Sequence, residues 1–160
     1  MRAINFDADT ERFSRWLNSV IDEMGSRTPT IGMWFGLVNL QEDRETTADL
    51  YAGVSPQFDA NSLDWASQIT VPTKHPYAGS TVLRAIYANA YTPVDGLEND
   101  AEYPLVLALG AIAVCDALRY CESRVELQSL NGAAVGFDGG DFLYLGHISH
   151  GKFVVSVRTC

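Results

Sequence analysis

The feature that most limits what this chain can fold into is a long apolar run between residues 103 and 122. Pro104 suits the first turn of a helix, where its missing N–H is harmless. A helix that is apolar on nearly all sides must be covered by other elements. The uncharged stretch Tyr103–Cys115 is shorter than the roughly 20 residues that cross a bilayer, so we expect a buried central helix. Its large apolar residues are Leu105, Val106, Leu107, Leu109, Ile112, Val114 and Leu118.

Two further helices are predicted from the spacing of their apolar residues. Residues 9–24 place one apolar stripe along a helix that Gly25 can end, and residues 80–91 repeat this pattern over a shorter length. The stripe of the first helix consists of Phe13, Trp16, Leu17, Val20, Ile21 and Met24. Candidate caps are Asp7, Asp9 or Thr10 at the first start and Ser80 or Thr81 at the second.

The remaining regular segments predict strands. Residues 31–40 carry large apolar side chains on both alternating sets, which is typical of a strand covered on both faces. Gly32 and Gly36 share the set of Trp34, so a neighbour is expected to pack closely there. Further strands are predicted at 47–54, 133–138, 142–148 and 153–158. Tight turns are expected at Asp138-Gly139-Gly140-Asp141, as a two-residue type I′ turn, and at Ser149-His150-Gly151.

The order of these elements predicts one α+β domain over residues 1–160. Its mostly antiparallel sheet would combine an N-terminal hairpin and a C-terminal β-meander, packed against about three helices, one of them buried and central. With 160 residues, of which 47% are hydrophobic, the chain can bury a core without disulfides or a metal. Prolines interrupt residues 55–79, where we expect only a short strand or helical turn near 63–71.

The net charge of −9 narrows the classes of partner. Such a charge repels phosphate backbones and anionic membrane surfaces, whereas it attracts a basic protein. A negative net charge that serves only to keep the protein soluble is the alternative interpretation. Residues 1–25 lack the continuous apolar stretch of a signal peptide. A cytoplasmic protein that binds neither nucleic acid nor membrane is therefore expected, with its oligomeric state left open.

One acidic segment is the candidate partner-binding surface. It consists of Asp95, Glu98, Asp100 and Glu102, which fall within eight residues that contain no Lys or Arg. Carboxylates ahead of a helix also stabilise its N-terminal dipole, by about 0.3–1 kcal/mol each. Four exceed what a cap requires, so a second use as a docking surface is predicted. A weaker group, Glu42, Asp43 and Glu45, is diluted by Arg44.

No catalytic residue, metal ligand or cofactor is assigned from the sequence. His147 and His150 lie three apart without the carboxylate partner of a metal site, and His75 stands alone between Lys74 and Pro76. Motifs of the forms HExxH, GxSxG and GxGxxG are absent. The odd number of cysteines (Cys115, Cys121 and Cys160) shows no zinc-ligand spacing and indicates reduced thiols.

These observations favour a non-catalytic protein-binding module. In size, charge and lack of a catalytic motif the chain is analogous to small acidic bacterial proteins that bind one partner tightly. Immunity proteins, which neutralise basic toxin domains, are the clearest example, although no shared motif supports the analogy. Two alternatives remain: a small enzyme or ligand-binding domain with a pocket between sheet and helices, in which His75, His147 and His150 would be tested, and a structural or phage-type component.

Overall fold

The computed structural model describes residues 6–25, 29–42, 45–90 and 102–159. Side chains are described for fewer residues, since those of 6, 41, 42, 45, 46, 102 and 157–159 are left out. Within these ranges the helices are α1 Phe6–Met24, α2 Thr81–Ala90 and α3 Glu102–Cys121, with short 3₁₀ helices at Asp64–Gln68 and Val125–Leu127. The strands are β1 Gly32–Glu42, β2 Glu45–Ser55, β3 Gly132–Phe137, β4 Phe142–Ser149 and β5 Lys152–Thr159.

The five strands form one sheet in the order β2-β1-β3-β4-β5. Neighbouring strands are antiparallel except β1 and β3, which run parallel from Gly32 opposite Gly132 to Leu37 opposite Phe137. This parallel pair joins the N-terminal hairpin to the C-terminal meander, and both α2 and α3 lie in the crossover between them. The predicted α+β class with a mostly antiparallel sheet is confirmed.

The three helices pack on one face of the sheet, and α3 is the central one. It contacts α1, α2 and four strands, and Val106, Ala117 and Leu118 are fully buried. The predicted buried central helix is therefore confirmed. One stripe of α3 nevertheless remains open, since Ile112 is 58% and Tyr120 70% exposed, so burial is not complete all round.

Helix α3 also bears on the expectation that the chain has no membrane span. Among the described residues, Tyr103–Cys121 is one helix long and apolar enough to cross a bilayer by length and composition. The central helix of a folded core meets the same criterion, and 44% of this segment is buried inside the protein. Length and composition of a single helix are thus weak evidence for a span.

A second, smaller core covers the other face of β1. Trp34, Trp65 and Ala134 are buried there, away from the helices. A Cβ added to Gly32 would lie 2.9 Å from the Trp65 ring, and one added to Gly36 would overlap the Tyr51 ring. The predictions that β1 is covered on both faces, and that its glycines admit close neighbours, are both confirmed.

The proline-rich segment 55–79, which the sequence left mostly unassigned, also covers the outer edge of β2. Val54 and Thr70 exchange both backbone hydrogen bonds, at 3.0 and 2.8 Å, and the Ala78 N–H donates to the Leu50 carbonyl at 2.8 Å. Edge strands left open can pair with other chains. This segment therefore pairs with one edge of the sheet and covers the second core.

The start of α2 is held by a carboxylate from another helix. Asp9 lies inside α1, which begins at Phe6, and it accepts hydrogen bonds from the Thr81 N–H at 2.7 Å and the Ser80 hydroxyl at 2.8 Å. The Ser80 hydroxyl oxygen in turn accepts the Leu83 N–H at 3.2 Å. Ser80 is thus the predicted cap of α2. The prediction that Asp7, Asp9 or Thr10 caps α1 is wrong, because all three lie inside that helix.

The two turns of the meander differ from each other. Only Gly139 has a positive φ (74°) in the first, where the Phe137 N–H donates to the Asp141 carbonyl at 3.1 Å. Three residues therefore separate the paired ends, and the predicted two-residue type I′ turn is wrong there. In the second turn His150 and Gly151 have φ of 51° and 74°, the two positive values that a type I′ turn requires.

Candidate functional site

A groove of about 270 Å³ opens on the sheet face opposite the helices. One wall is the chain segment 58–65, and the other is formed by β3 and β4. Aromatic side chains dominate both walls, and a short run of small polar residues lies at the mouth. The lining residues are Phe58, Asp59, Ala60, Asn61, Ser62, Leu63, Trp65, Ala134, Phe142 and Tyr144. We call this feature the aromatic groove.

The rings of the aromatic groove support one another. Phe58 lies edge-on to Trp65 with ring centroids 5.2 Å apart, and its centroid is 5.7 Å from that of Tyr144. At the other end the Trp34 and Phe142 centroids are 6.3 Å apart. These separations fall within the range in which tilted aromatic pairs attract, so the walls are preformed.

Small residues on β3 allow the rings to lie against the backbone. A Cβ added to Gly132 would overlap the Phe58 ring, and one added to Gly136 would collide with Phe142. Ala134, between them on the same face, contributes only a methyl group to the groove floor. The small residues on this face of β3 therefore allow Phe58 and Phe142 to pack close to the strand.

A chain of hydrogen bonds connects Asp138, which lies outside the groove lining, to Trp34, the ring neighbour of the lining residue Phe142. The Trp34 Nε1–H donates to the Tyr51 hydroxyl oxygen at 3.2 Å, and that hydroxyl donates to Asp138 Oδ1 at 2.7 Å. Burial, followed by the hydrogen bond and charge of Asp138, raises the pKa of Tyr51 well above its usual range. Tyr51 therefore keeps its proton near neutral pH and orients Asp138.

A second carboxylate lies in the opposite wall. Asp59 Oδ1 accepts the Asn61 N–H at 2.8 Å in an Asx turn, which fixes the side chain where the segment 58–63 bends. No salt bridge joins Asp59 or Asp138 to a Lys or Arg whose side chain the structure describes. Arg158 pairs with Tyr144 through its backbone, and its side chain lies outside the described residues.

The predicted partner-binding segment cannot be placed relative to this groove. Asp95, Glu98 and Asp100 lie outside the described residues, and Glu102 begins α3 with a side chain that is likewise outside them. The weaker acidic group cannot be placed either, because Asp43 and the side chains of Glu42 and Glu45 lie outside the described residues. The role assigned to these acids remains a prediction.

The three histidines lie apart from the groove's lining. His75 is exposed in the loop, and its backbone carbonyl accepts the Trp16 Nε1–H at 2.9 Å. His147 of β4 pairs with Val154 of β5. His150 lies in the turn between these strands, with its Nδ1 3.0 Å from the Ser149 hydroxyl oxygen. Among the described residues no group of three or more His, Cys, Asp or Glu side chains is placed to hold a metal.

The two described cysteines are buried, in agreement with the prediction of reduced core thiols. Desolvation raises the pKa of Cys115, and it raises that of Cys121 to about 11. Since the thiolate is the reactive form, both remain unreactive thiols near neutral pH.

Comparison of the chain with protein-family models, curated proteins and solved structures finds no match. The candidate site therefore depends on the geometry above. Phe58 and Asp59 come from a segment that sequence patterns left unassigned. Trp65 comes from the short strand or helical turn predicted near 63–71, which is the 3₁₀ helix Asp64–Gln68. The one local signal was the small-residue run GAAVG of β3, at residues 132–136, which indicates that other groups approach that backbone closely.

Proposed function

We propose that this protein is a non-catalytic binding module for a basic protein, of the immunity or inhibitor type, acting in the bacterial cytoplasm. The observation that supports it best is the negative charge of the aromatic groove. Asp59 is among its lining residues, and none of those residues is Lys or Arg. Asp138 lies outside the lining and is joined through Tyr51 to Trp34, the ring neighbour of Phe142. A basic partner would be steered towards this face.

Four of the basic side chains that the structure describes bond to groups outside the aromatic groove. Arg12 donates to the Gly79 carbonyl at 3.0 Å from α1, Arg84 of α2 pairs with Asp49, and Arg124 pairs with Asp22 and Glu126. Lys152, at the start of β5, pairs with Glu122 at 2.6 Å. Because these cations bond to other groups, none of them neutralises Asp59 or Asp138.

If the chain were instead a small enzyme or ligand-binding domain, its pocket would be expected between the sheet and the helices. The aromatic groove lies on the opposite face, and no histidine lines it. A cleft of about 50 Å³ does lie among the helices, lined by residues that include Asp9, Ser80 and Ile112. Asp9 and Ser80 are hydrogen-bonded to each other at the start of α2, so these two polar groups of the cleft already have partners within the fold.

The proposal is tested by capture of a partner from the native host. The tagged protein is immobilised at low salt, and proteins eluted by high salt are identified and quantified by mass spectrometry. We expect one dominant basic protein at near-equal stoichiometry, because long-range attraction between opposite charges weakens as salt rises. Failure to enrich any basic protein across several growth conditions would overturn the proposal.

A further inference from the structure

We propose that the aromatic groove receives an arginine side chain of the basic partner, held between aromatic ring faces and the carboxylates of Asp59 and Asp138. This inference rests on the proposed function and names the site and the chemistry of that binding. The groove thereby becomes the centre of the interface.

The first argument is the combination of ring faces and negative charge. The groove-lining rings Phe58 and Phe142 come from opposite walls, and a cation within about 6 Å of a ring centroid is attracted by its negative face. Phe58 and Phe142 are each half-buried, so part of each ring remains open to solvent. An aliphatic ligand would use the rings and make no charged contact with either carboxylate.

The second argument is that both carboxylates are already oriented. The Tyr51 hydroxyl donates a hydrogen bond to Asp138 Oδ1, and the Asn61 backbone N–H donates one to Asp59 Oδ1. Each carboxylate has a second oxygen to which the structure assigns no protein donor among the described residues. A carboxylate whose position is fixed before binding loses little side-chain entropy on association. This preorganisation suits a charged donor that enters the groove.

The third argument selects arginine over lysine. A guanidinium is planar, stacks on aromatic faces and presents several N–H donors in fixed directions, whereas an ammonium is compact and strongly hydrated. A groove with aromatic rings on both walls and the carboxylate of Asp59 in one wall matches the planar group. Arginine is also enriched among the residues that dominate protein–protein binding energies.

The probe is the peptide acetyl-Gly-Arg-Gly-Arg-Gly-amide, compared with the same peptide in which citrulline replaces arginine. Binding is followed by changes in the amide and indole N–H resonances of the isotope-labelled full chain. We expect the arginine peptide to shift resonances of residues 58–65, Trp34 and β4, and to bind at least about five-fold more tightly than the citrulline peptide, as loss of one cation–π or charge contact implies.

The matched variants are Asp59→Asn with Asp138→Asn, and Asp7→Asn with Glu11→Gln. The first pair removes two charges at the groove and keeps the acceptor oxygens that the Asn61 N–H and the Tyr51 hydroxyl use. The second removes two exposed charges from α1. We expect only the groove pair to weaken arginine-peptide binding, by about five-fold or more.

Equal binding of the arginine and citrulline peptides, no binding, or an equal effect of the two variant pairs would overturn the groove assignment. Capture of a basic protein from the host by the Asp59→Asn/Asp138→Asn variant at the wild-type level would also overturn it, and would leave the proposed function standing. Absence of any captured partner with the wild-type protein would instead overturn the function.

Discussion

Replacing Asp49 with alanine is expected to lower the free energy of unfolding by about 2–4 kcal/mol. Its side chain is fully buried, and its carboxylate accepts the Gly79 N–H at 3.0 Å and the Ser80 N–H at 3.3 Å and pairs with Arg84 at 3.2 Å. Alanine would leave the backbone donors without this acceptor. Because the Arg84 side chain is 35% exposed, water can solvate part of its charge, which keeps the loss below that of a fully buried pair.

Urea unfolding followed by tryptophan fluorescence measures this loss, with an unchanged dependence on urea concentration showing that the same surface unfolds. Asp49→Asn, which keeps one acceptor oxygen, is expected to lose about half as much. Asp116→Ala is the exposed control, since Asp116 forms a surface pair with Arg119, and it is expected to change stability by less than about 0.5 kcal/mol. An Asp49→Ala loss as small as the control would contradict this role.

Replacing Trp65 with alanine is expected to cost about 3–5 kcal/mol and to open the aromatic groove. Trp65 is 3% exposed and forms the centre of the second core with Trp34 and Ala134. The Trp65 ring also lies over Gly32 and against Phe58. Its loss should therefore free the segment 58–69 from the sheet while the helix-side core remains packed.

Amide hydrogen exchange distinguishes this local effect from global unfolding. We expect faster exchange at residues 63–70 and along the far face of β1 than in α3, in addition to the shift in urea midpoint. Tyr120→Ala serves as the control, because Tyr120 is 70% exposed, and its stability change should stay within about 0.5 kcal/mol. Uniformly faster exchange across α3 and the sheet would show that the second core is not a separate unit.

Most of the fold could be predicted from the sequence because periodicity reports which face of an element is buried. The alternation of Ala48, Leu50, Ala52 and Val54 predicted the buried face of β2, and all four belong to the helix-side core. The large apolar side chains on both alternating sets of residues 31–40 predicted that β1 is covered on both faces. The spacing of Phe13, Trp16 and Leu17 predicted the buried stripe of α1 in the same way.

The remaining features depend on contacts between residues distant in sequence, which no local pattern records. Asp9 and Ser80 are 71 residues apart, and Tyr51 and Asp138 are 87 apart. The parallel pairing of β1 with β3 likewise arises from the crossover through the helices. The aromatic groove was missed for the same reason, since one wall comes from an irregular proline-rich segment and the other from two strands near the C-terminal end of the sequence.

The central claim, that this chain binds a basic protein through electrostatic attraction, is tested most directly by the association rate of the captured partner as ionic strength is raised. We predict a fall of about ten-fold or more between low and moderate salt. We also predict slower association at low salt for the Asp59→Asn/Asp138→Asn variant and for Asp95→Asn with Glu98→Gln and Asp100→Asn, relative to Asp7→Asn/Glu11→Gln. An association rate that is independent of salt, with all three variants equal to wild type, would contradict the account.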